Sequence, residues 1–284
     1  MARVFLWVNS DLDGVGSTVL LGNMFPNFEY RYCFFGDFER QWNEWYEENF
    51  HDYDKVFVVG MVLDQRIVNN LDDESVIFVD DRDTKLDTFK STMIHKPESS
   101  CTKLLYKTFK DKVEFPLNLK KFFAYIDDYN SYELKTEEAK YINALYRKSW
   151  GGKFQRFVQR FWKGFDGFTE KEIALAEKFF EELKEEVDKI TLYKGTFKDW
   201  KVIATFSMFS ANEIAGEIMK AYDVDVVLIV NTDTNFVSFR RSKGSEADIQ
   251  YMSEYLCDGG GGEWAAGGTI TPKFMTYTEN LKEI

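Results

Sequence analysis

The apolar positions of this chain fall into two alternating blocks. Near the start, Val4–Val8 is an unbroken apolar run, and Ser17–Met24 has helical spacing. Phe28–Phe35 alternates like a strand, and Glu39–Phe50 places Trp42, Trp45, Tyr46 and Phe50 on one helical face. Lys55–Val62 and Ser75–Val79 are β-branched runs separated by a short helical stretch, Gln65–Leu71. Continuous apolar strands that alternate with helices predict a mostly parallel sheet covered on both faces.

From residue 98 to residue 165 the spacing turns helical. Ser99–Phe109, Leu117–Asp127, Thr136–Tyr146 and Lys153–Trp162 each carry apolar residues three or four apart. Thr169 and Glu172 make a capping box that starts a long helix with Ile173, Ala176, Phe180, Leu183, Val187 and Ile190 on one face. A second α/β unit follows. Val202–Phe206, Val224–Val230 and Phe236–Arg240 read as strands, Ala211–Tyr222 and Glu246–Leu256 as helices, and Asn231–Asn235 as a hairpin turn. The segment Gly259–Gly268 reads as a packed, ligand-facing loop before a strand at Thr269–Ile270.

Composition narrows the functional classes. With 284 residues, 44% of them hydrophobic and only 4 prolines, the chain is long and apolar enough for one large domain or two modest ones. Its net charge of −12 opposes long duplex nucleic acid, because such binding needs many phosphates neutralised. The three cysteines, Cys33, Cys101 and Cys257, are isolated, which suits a reducing compartment and excludes a zinc-type spacing. The N-terminal apolar run is too short for a signal peptide and no stretch approaches a membrane span, so a soluble cytoplasmic protein is expected, with no membrane partner.

Five segments carry candidate chemistry. Asn9-Ser10-Asp11-Leu12-Asp13-Gly14 sits between a strand and a helix, where two carboxylates two residues apart suit a divalent cation. A helix-capping role for Asp11 is the simpler reading. Asp80-Asp81-Arg82 ends a strand, and strand ends line the ligand crevice of an open parallel sheet. Asp127-Asp128 closes a helix against its dipole. The glycine segment is the fourth. A basic run from Arg147 to Lys163 is the fifth, with Arg156, Arg160 and Lys163 sharing a face that either tracks phosphates or is merely solvated.

In order and spacing these segments resemble the DHH phosphoesterase superfamily with its C-terminal DHHA1 domain. Asn9-x-Asp11-x-Asp13-Gly14 resembles the first motif, Asp80-Asp81-Arg82 the Asp-His-His motif, and Asp128 the fourth motif. Phe239 and Arg240 after Ser238 resemble the Ser-Leu-Arg strand, and Gly259–Gly267 the Gly-Gly-Gly-His loop. The resemblance implies a DHH domain over 1–165, a helical connector over 166–198, a smaller α/β DHHA1 domain over 199–284, and a cleft between the domains. It implies metal ligands at Asn9, Asp11, Asp13, Asp81 and Asp128, catalytic roles for Asp13, Asp81 and Arg82, and substrate binding by Ser238, Arg240, Gly259, Gly260, Gly261 and Gly262.

The departures bear on activity. The family bridges two Mn²⁺ or Mg²⁺ ions with an aspartate where this chain has Gly60, and Asn9, Asp81, Arg82 and Gly262 replace family histidines. The two histidines present, His51 and His95, lie outside the motifs. The expectation is one Mn²⁺ or Mg²⁺ ion or none. The ligand would be a nucleotide, a cyclic dinucleotide or a short oligonucleotide, hydrolysis would be weak or lost, and a homodimer is compatible. The alternative is an active Mn²⁺- or Mg²⁺-dependent phosphodiesterase or exonuclease with a rearranged site, in which Asp64 replaces the lost bridge.

Overall fold

The first half of the chain folds as the hydrophobic pattern requires. In a computed structural model that describes residues 2–82, 86–96, 100–132, 134–149 and 151–284, two compact units divide at Glu177 and Lys178. The first unit contains strands β1 (Arg3–Asn9), β2 (Asn27–Cys33), β3 (Lys55–Val59), β4 (Val76–Asp80) and β5 (Thr92–His95). They form one parallel sheet in the order β2-β1-β3-β4-β5. Its helices are α1 (Leu12–Met24), α2 (Phe38–Asn49), α3 (Gln65–Asn70), α4 (Cys101–Phe109), α5 (Leu117–Asn130), α6 (Glu137–Lys148) and α7 (Lys153–Arg160).

Every residue of Val4–Val8 is buried, which is why the run lacks polar alternation: it is an interior strand of a sheet covered on both faces. One face carries an aromatic core in which Trp7 meets Phe38, Trp42 and Trp45 with ring centroids 5.7, 6.2 and 5.7 Å away. α1 packs against α4, α5 and α7, and its buried residues run from Leu12 through Leu21. That all-round burial erased the amphipathic signal, so the helix begins at Leu12 rather than at Ser17. Residue Ser99, expected to open the fourth helix, lies outside the described residues.

The expected connector over 166–198 is divided. Its helix α8 (Glu170–Lys189) spans the boundary between the units, started by the reciprocal Thr169–Glu172 hydrogen bonds. The rest contributes strand β6 (Leu192–Phe197) to the second sheet, an element the sequence pattern did not reveal. That sheet also contains β7 (Trp200–Phe206), β8 (Val226–Asn231), β9 (Phe236–Arg241), β10 (Gly260–Gly261), β11 (Ala265–Thr269) and β12 (Lys282–Glu283), in the order β10-β11-β9-β8-β7-β6-β12. β7 and β8 pair in parallel, across α9 (Ala211–Ala221), and the neighbouring pairs are antiparallel. Helices α10 (Ile249–Cys257) and α11 (Pro272–Thr278) complete the unit. Among the described residues no helix is long and apolar enough to cross a membrane.

Candidate cation and phosphate site

In the first unit, β1 lies between β2 and β3, so the chain leaves the carboxyl ends of β1 and β3 in opposite directions along the sheet. Such a switch point opens a crevice at the strand ends, and ligands of open α/β sheets settle there. Asn9 and Asp80 end β1 and β4, and Gly60 is the residue that follows β3.

Asp13 and Asp81 come together there, joined by Cys101. One ligand atom from each lies within 4.8 Å of the other two. Asp13, in the first turn of α1, is 9% exposed, and its two oxygens accept hydrogen bonds from Cys101 N at 2.8 Å and Thr102 N at 2.9 Å. These are amide groups at the start of α4, whose dipole favours negative charge. Burial nevertheless pushes the Asp13 carboxyl up to about 8, helped by the charges of Asp81 and Asp11. Burial also raises Asp81, whose Oδ1 accepts from Cys101 Sγ at 3.2 Å. Two carboxyls and a thiol crowded into a buried crevice bind either protons or a cation. The donor set fits one divalent ion.

A bridged pair has no such support. Gly60 adopts φ +65°, and a Cβ built on it falls 3.7 Å from Cys101 Sγ and 4.0 Å from Asn9 Cβ. The position therefore faces the crevice and carries no carboxylate. Asp64 does not replace it. That side chain caps α3 through Ile67 N at 2.7 Å and is exposed.

The other expected ligands have local partners. Asp11 caps α1 by accepting from Gly14 N at 2.7 Å and is held by the Asn9 amide, whose Oδ1 accepts from Ser10 N at 3.0 Å. The simpler reading of Asp11 thus describes its contacts. Asp128 accepts from Lys135 N, Thr136 N and Thr136 Oγ1 at 2.9, 2.8 and 2.7 Å. Burial would raise its carboxyl, but these donors outweigh burial and hold it below the usual range. Its charge serves the start of α6, and neither Asp128 nor Asp11 belongs to the three-residue group. Asp127 turns to Lys103 at 2.9 Å.

Arg82 folds back on its own strand. Its Nε and Nη2 reach the two oxygens of buried Asp80 at 2.8 and 2.9 Å, and Nη2 also donates to the Met61 carbonyl. The guanidinium thus neutralises Asp80 and fixes the loop that presents Asp81. The expected basic face over Arg156, Arg160 and Lys163 is also broken up. Arg160 pairs with Glu172 and Asp166 at 2.8 Å each, and Arg156 donates to the Gly151 carbonyl.

In the second unit, Ser238 and Arg240 lie on β9, opposite Gly267 and Ala265 of β11. Arg240 Nε donates to Asn212 Oδ1 at 2.6 Å, and Nη1 to Phe239 O at 2.8 Å. The four glycines divide by role. A Cβ on Gly259 would lie 2.1 Å from Gly267 O, and one on Gly261 2.4 Å from Ala266 Cα, so both are needed for backbone packing. A Cβ on Gly260 or Gly262 would face open space, but Gly260 pairs with Gly267 in the β10–β11 ladder and the Gly262 amide donates to the Ala265 carbonyl at 2.9 Å, so the Gly262 amide expected to face a ligand serves the hairpin instead.

Sequence reasoning missed Cys101, Thr102 and Tyr146. The first two were readable as the start of a helix after Ser100, but their tie to Asp13 spans 88 and 89 residues. Tyr146, on α6, donates its hydroxyl to Ser10 O at 2.8 Å and so anchors α6 to the first motif.

No protein-family model matches the chain, and no curated protein sequence does. Solved structures do match. A pGpG-specific phosphodiesterase, PggH, from Vibrio cholerae aligns at TM-score 0.60 and 10% identity, over 98% of this chain and 96% of that one. RecJ of Thermus thermophilus in complex with Mn²⁺ aligns at TM-score 0.59 and 13% identity, over 98% of this chain and 51% of RecJ. An exopolyphosphatase-related protein of Bacteroides fragilis aligns at TM-score 0.56 and 14% identity, over 98% and 91%. At these identities the likeness is one of fold. The chain shares the fold of these structures, as the resemblance of its motifs to the DHH/DHHA1 phosphoesterases implies.

Proposed function

We propose that this protein binds a nucleotide or short oligonucleotide phosphodiester together with one divalent cation, and that two-metal hydrolysis is weak or lost. Gly60 carries the reading: the crevice position that faces Cys101 and Asn9 has no side chain to bridge two ions. Two-metal chemistry needs its ions held a few ångströms apart, at about 3.5–4 Å. Asp13 and Asp81, with Cys101 beside them, are the residues that would hold one Mn²⁺ or Mg²⁺. Such an ion, when bound, neutralises charge on a phosphoryl oxygen.

The chain's own residues supply the rest. Asp80 and Arg82 position Asp81. Ser238 and Arg240, on β9 beside the glycine hairpin, are the proposed phosphate contacts of the second unit. The structural neighbours support the ligand class, since one is a pGpG-specific phosphodiesterase and another is a RecJ complex with Mn²⁺. The charge of −12 favours a short ligand over a duplex.

A second reading, an active Mn²⁺- or Mg²⁺-dependent phosphodiesterase with a rearranged site, rests on the same Asp13–Asp81–Cys101 group. Calorimetry with pGpG and short RNA, run beside turnover assays in Mn²⁺, separates the two. Binding lost on Arg240→Ala, without turnover, supports the first. Robust turnover abolished by Asp13→Ala establishes the second.

A further inference from the structure

The parallel pair of the second unit, β7 and β8, ends beside a cavity of about 440 Å³. Glu186, Phe206, Ser207, Met208, Phe209 and Val230 help to line it, and all belong to that unit. Its size falls within the roughly 300–1,000 Å³ of small-ligand pockets. The carboxyl ends of parallel strands are also where open α/β sheets take ligands. Ser238 and Arg240 are not among its lining residues.

The two walls differ in chemistry. Phe206 and Met208 are 54% and 70% exposed, although both are large and apolar. A Phe offers a flat ring face, and a Met sulfur packs well against rings. The other wall is a held acceptor. Phe209 N donates to Ser207 Oγ at 3.0 Å, and the Ser207 hydroxyl in turn donates to Glu186 Oε1 at 2.7 Å. Ser207 is buried, and its amide donates to Val230 O at 3.2 Å, which ties the arrangement to β8. A carboxylate keeps several acceptor positions after one such bond.

This combination selects its ligand. Among the described residues no basic side chain lines the cavity, and the Glu186 carboxylate repels a phosphate. What fits is a neutral flat ring with N–H donors on one edge. Bases recognised outside a duplex are held in this way, stacked on apolar side chains and bonded along one edge. Guanine places two donors side by side, N1–H and the N2 amino group, which match the two oxygens of a carboxylate. Adenine, cytosine and uracil flank each edge donor with acceptors.

We propose that this cavity is a guanine pocket, in which the base rests on Phe206 and Met208 and donates to the Glu186 carboxylate. Ser207 is the positioning residue, since it orients Glu186. The assignment deepens the nucleotide reading above and rests on it for the ligand's class.

The test is binding of GMP and AMP by the full chain, measured by calorimetry. Methyl NMR of methionine-labelled protein locates the site, with the Met208 signal assigned by its loss in Met208→Ala. GMP is expected to bind about tenfold more tightly than AMP and to shift the Met208 signal. Glu186→Gln removes the preference by weakening GMP about tenfold, as for one charge-assisted contact. Ser207→Ala narrows the preference without weakening AMP, which a merely structural role would not do. Phe206→Ala weakens both nucleotides, because stacking serves any base. Urea melts that match wild type report an intact fold in each variant. Equal binding of GMP and AMP by wild type overturns the pocket, as does a preference that survives Glu186→Gln. Guanosine carries no phosphate and isolates the pocket. Guanosine that shifts Met208, while pGpG binding ignores Arg240→Ala, leaves the pocket standing and removes the phosphate contacts proposed above. Binding of pGpG lost on Arg240→Ala, with no base preference, leaves those contacts standing and overturns the pocket.

Discussion

Restoring a carboxylate at position 60 tests the missing bridge directly. Gly60 has φ +65°, a left-handed conformation that costs a non-glycine residue about 1–2 kcal/mol, with Asp near the lower end. Space does not oppose the change, because the added Cβ meets Cys101 Sγ at 3.7 Å and Asn9 Cβ at 4.0 Å, ordinary contact distances. Charge does oppose it without metal. Asp13 is already held up at about 8 by burial, Asp81 and Asp11, and another carboxyl adds to that repulsion. Metal-free Gly60→Asp is therefore expected to melt about 2–4 °C below wild type for each kcal/mol lost. Mn²⁺ reverses the order, since each ion at a hundredfold excess over its Kd contributes about 2.7 kcal/mol by linkage. Thermal shift with and without Mn²⁺ measures both effects, and Gly60→Asn supplies the same backbone strain without the charge. Turnover of pGpG run in parallel shows whether hydrolysis returns. The reasoning fails if Gly60→Asp gains no more from Mn²⁺ than Gly60→Asn does.

Other expectations follow from neighbouring contacts. Cys101 contributes the soft donor of the cluster, so Cys101→Ser lowers Zn²⁺ affinity while Mn²⁺ affinity stays within about threefold, because thiolates favour softer ions; equal losses for both metals in competition titrations would contradict it. The Asp13 carboxyl must release its proton to bind an ion, so Mn²⁺ affinity rises with pH up to about 8 and then levels; a flat profile from pH 6 to 9 refutes this. Burial would raise Asp72, but Ser91, Lys90 and Phe89 donate to it and hold it at about 2. A depressed folded-state value adds stability above the unfolded pKa, and that stability is lost as pH falls from about 4 to 2. Asp72→Asn removes roughly 1 kcal/mol of that acid dependence, after allowance for solvent screening, and urea melts at pH 7 and pH 3 measure the difference.

The sequence made the parallel sheet readable because its inner strands are buried on both faces and helices such as α2 have one apolar side. Val4–Val8 and Lys55–Val59 are the plainest cases. β11 was hidden for the opposite reason. Ala265-Ala266-Gly267-Gly268 has almost no strand propensity, and its pairing with β9 decides its conformation. There the missing side chains are the point, since a Cβ on Gly268 would lie 2.5 Å from Cys257 O. β5 and β6 were short or polar enough to read as loop, and α11 followed a Thr-Pro start that went unread.

The site was legible as a set of positions and not as a set of contacts. Asp13 and Asp81 meet as the spacing suggested, because both follow the carboxyl ends of strands in one sheet. Asp128 satisfies the start of α6, Asp11 satisfies the start of α1, and Arg82 satisfies Asp80. Each polar group takes the nearest unsatisfied partner when it leaves water. That choice depends on where the ends of α4 and α6 come to rest, which no local pattern encodes.

The central claim is that this crevice holds one ion and not a bridged pair. Electron paramagnetic resonance of the protein titrated with Mn²⁺ tests it most directly. The account predicts one isolated, uncoupled Mn²⁺ per chain, lost in Asp81→Asn. An exchange-coupled pair with two Mn²⁺ ions per chain would contradict it.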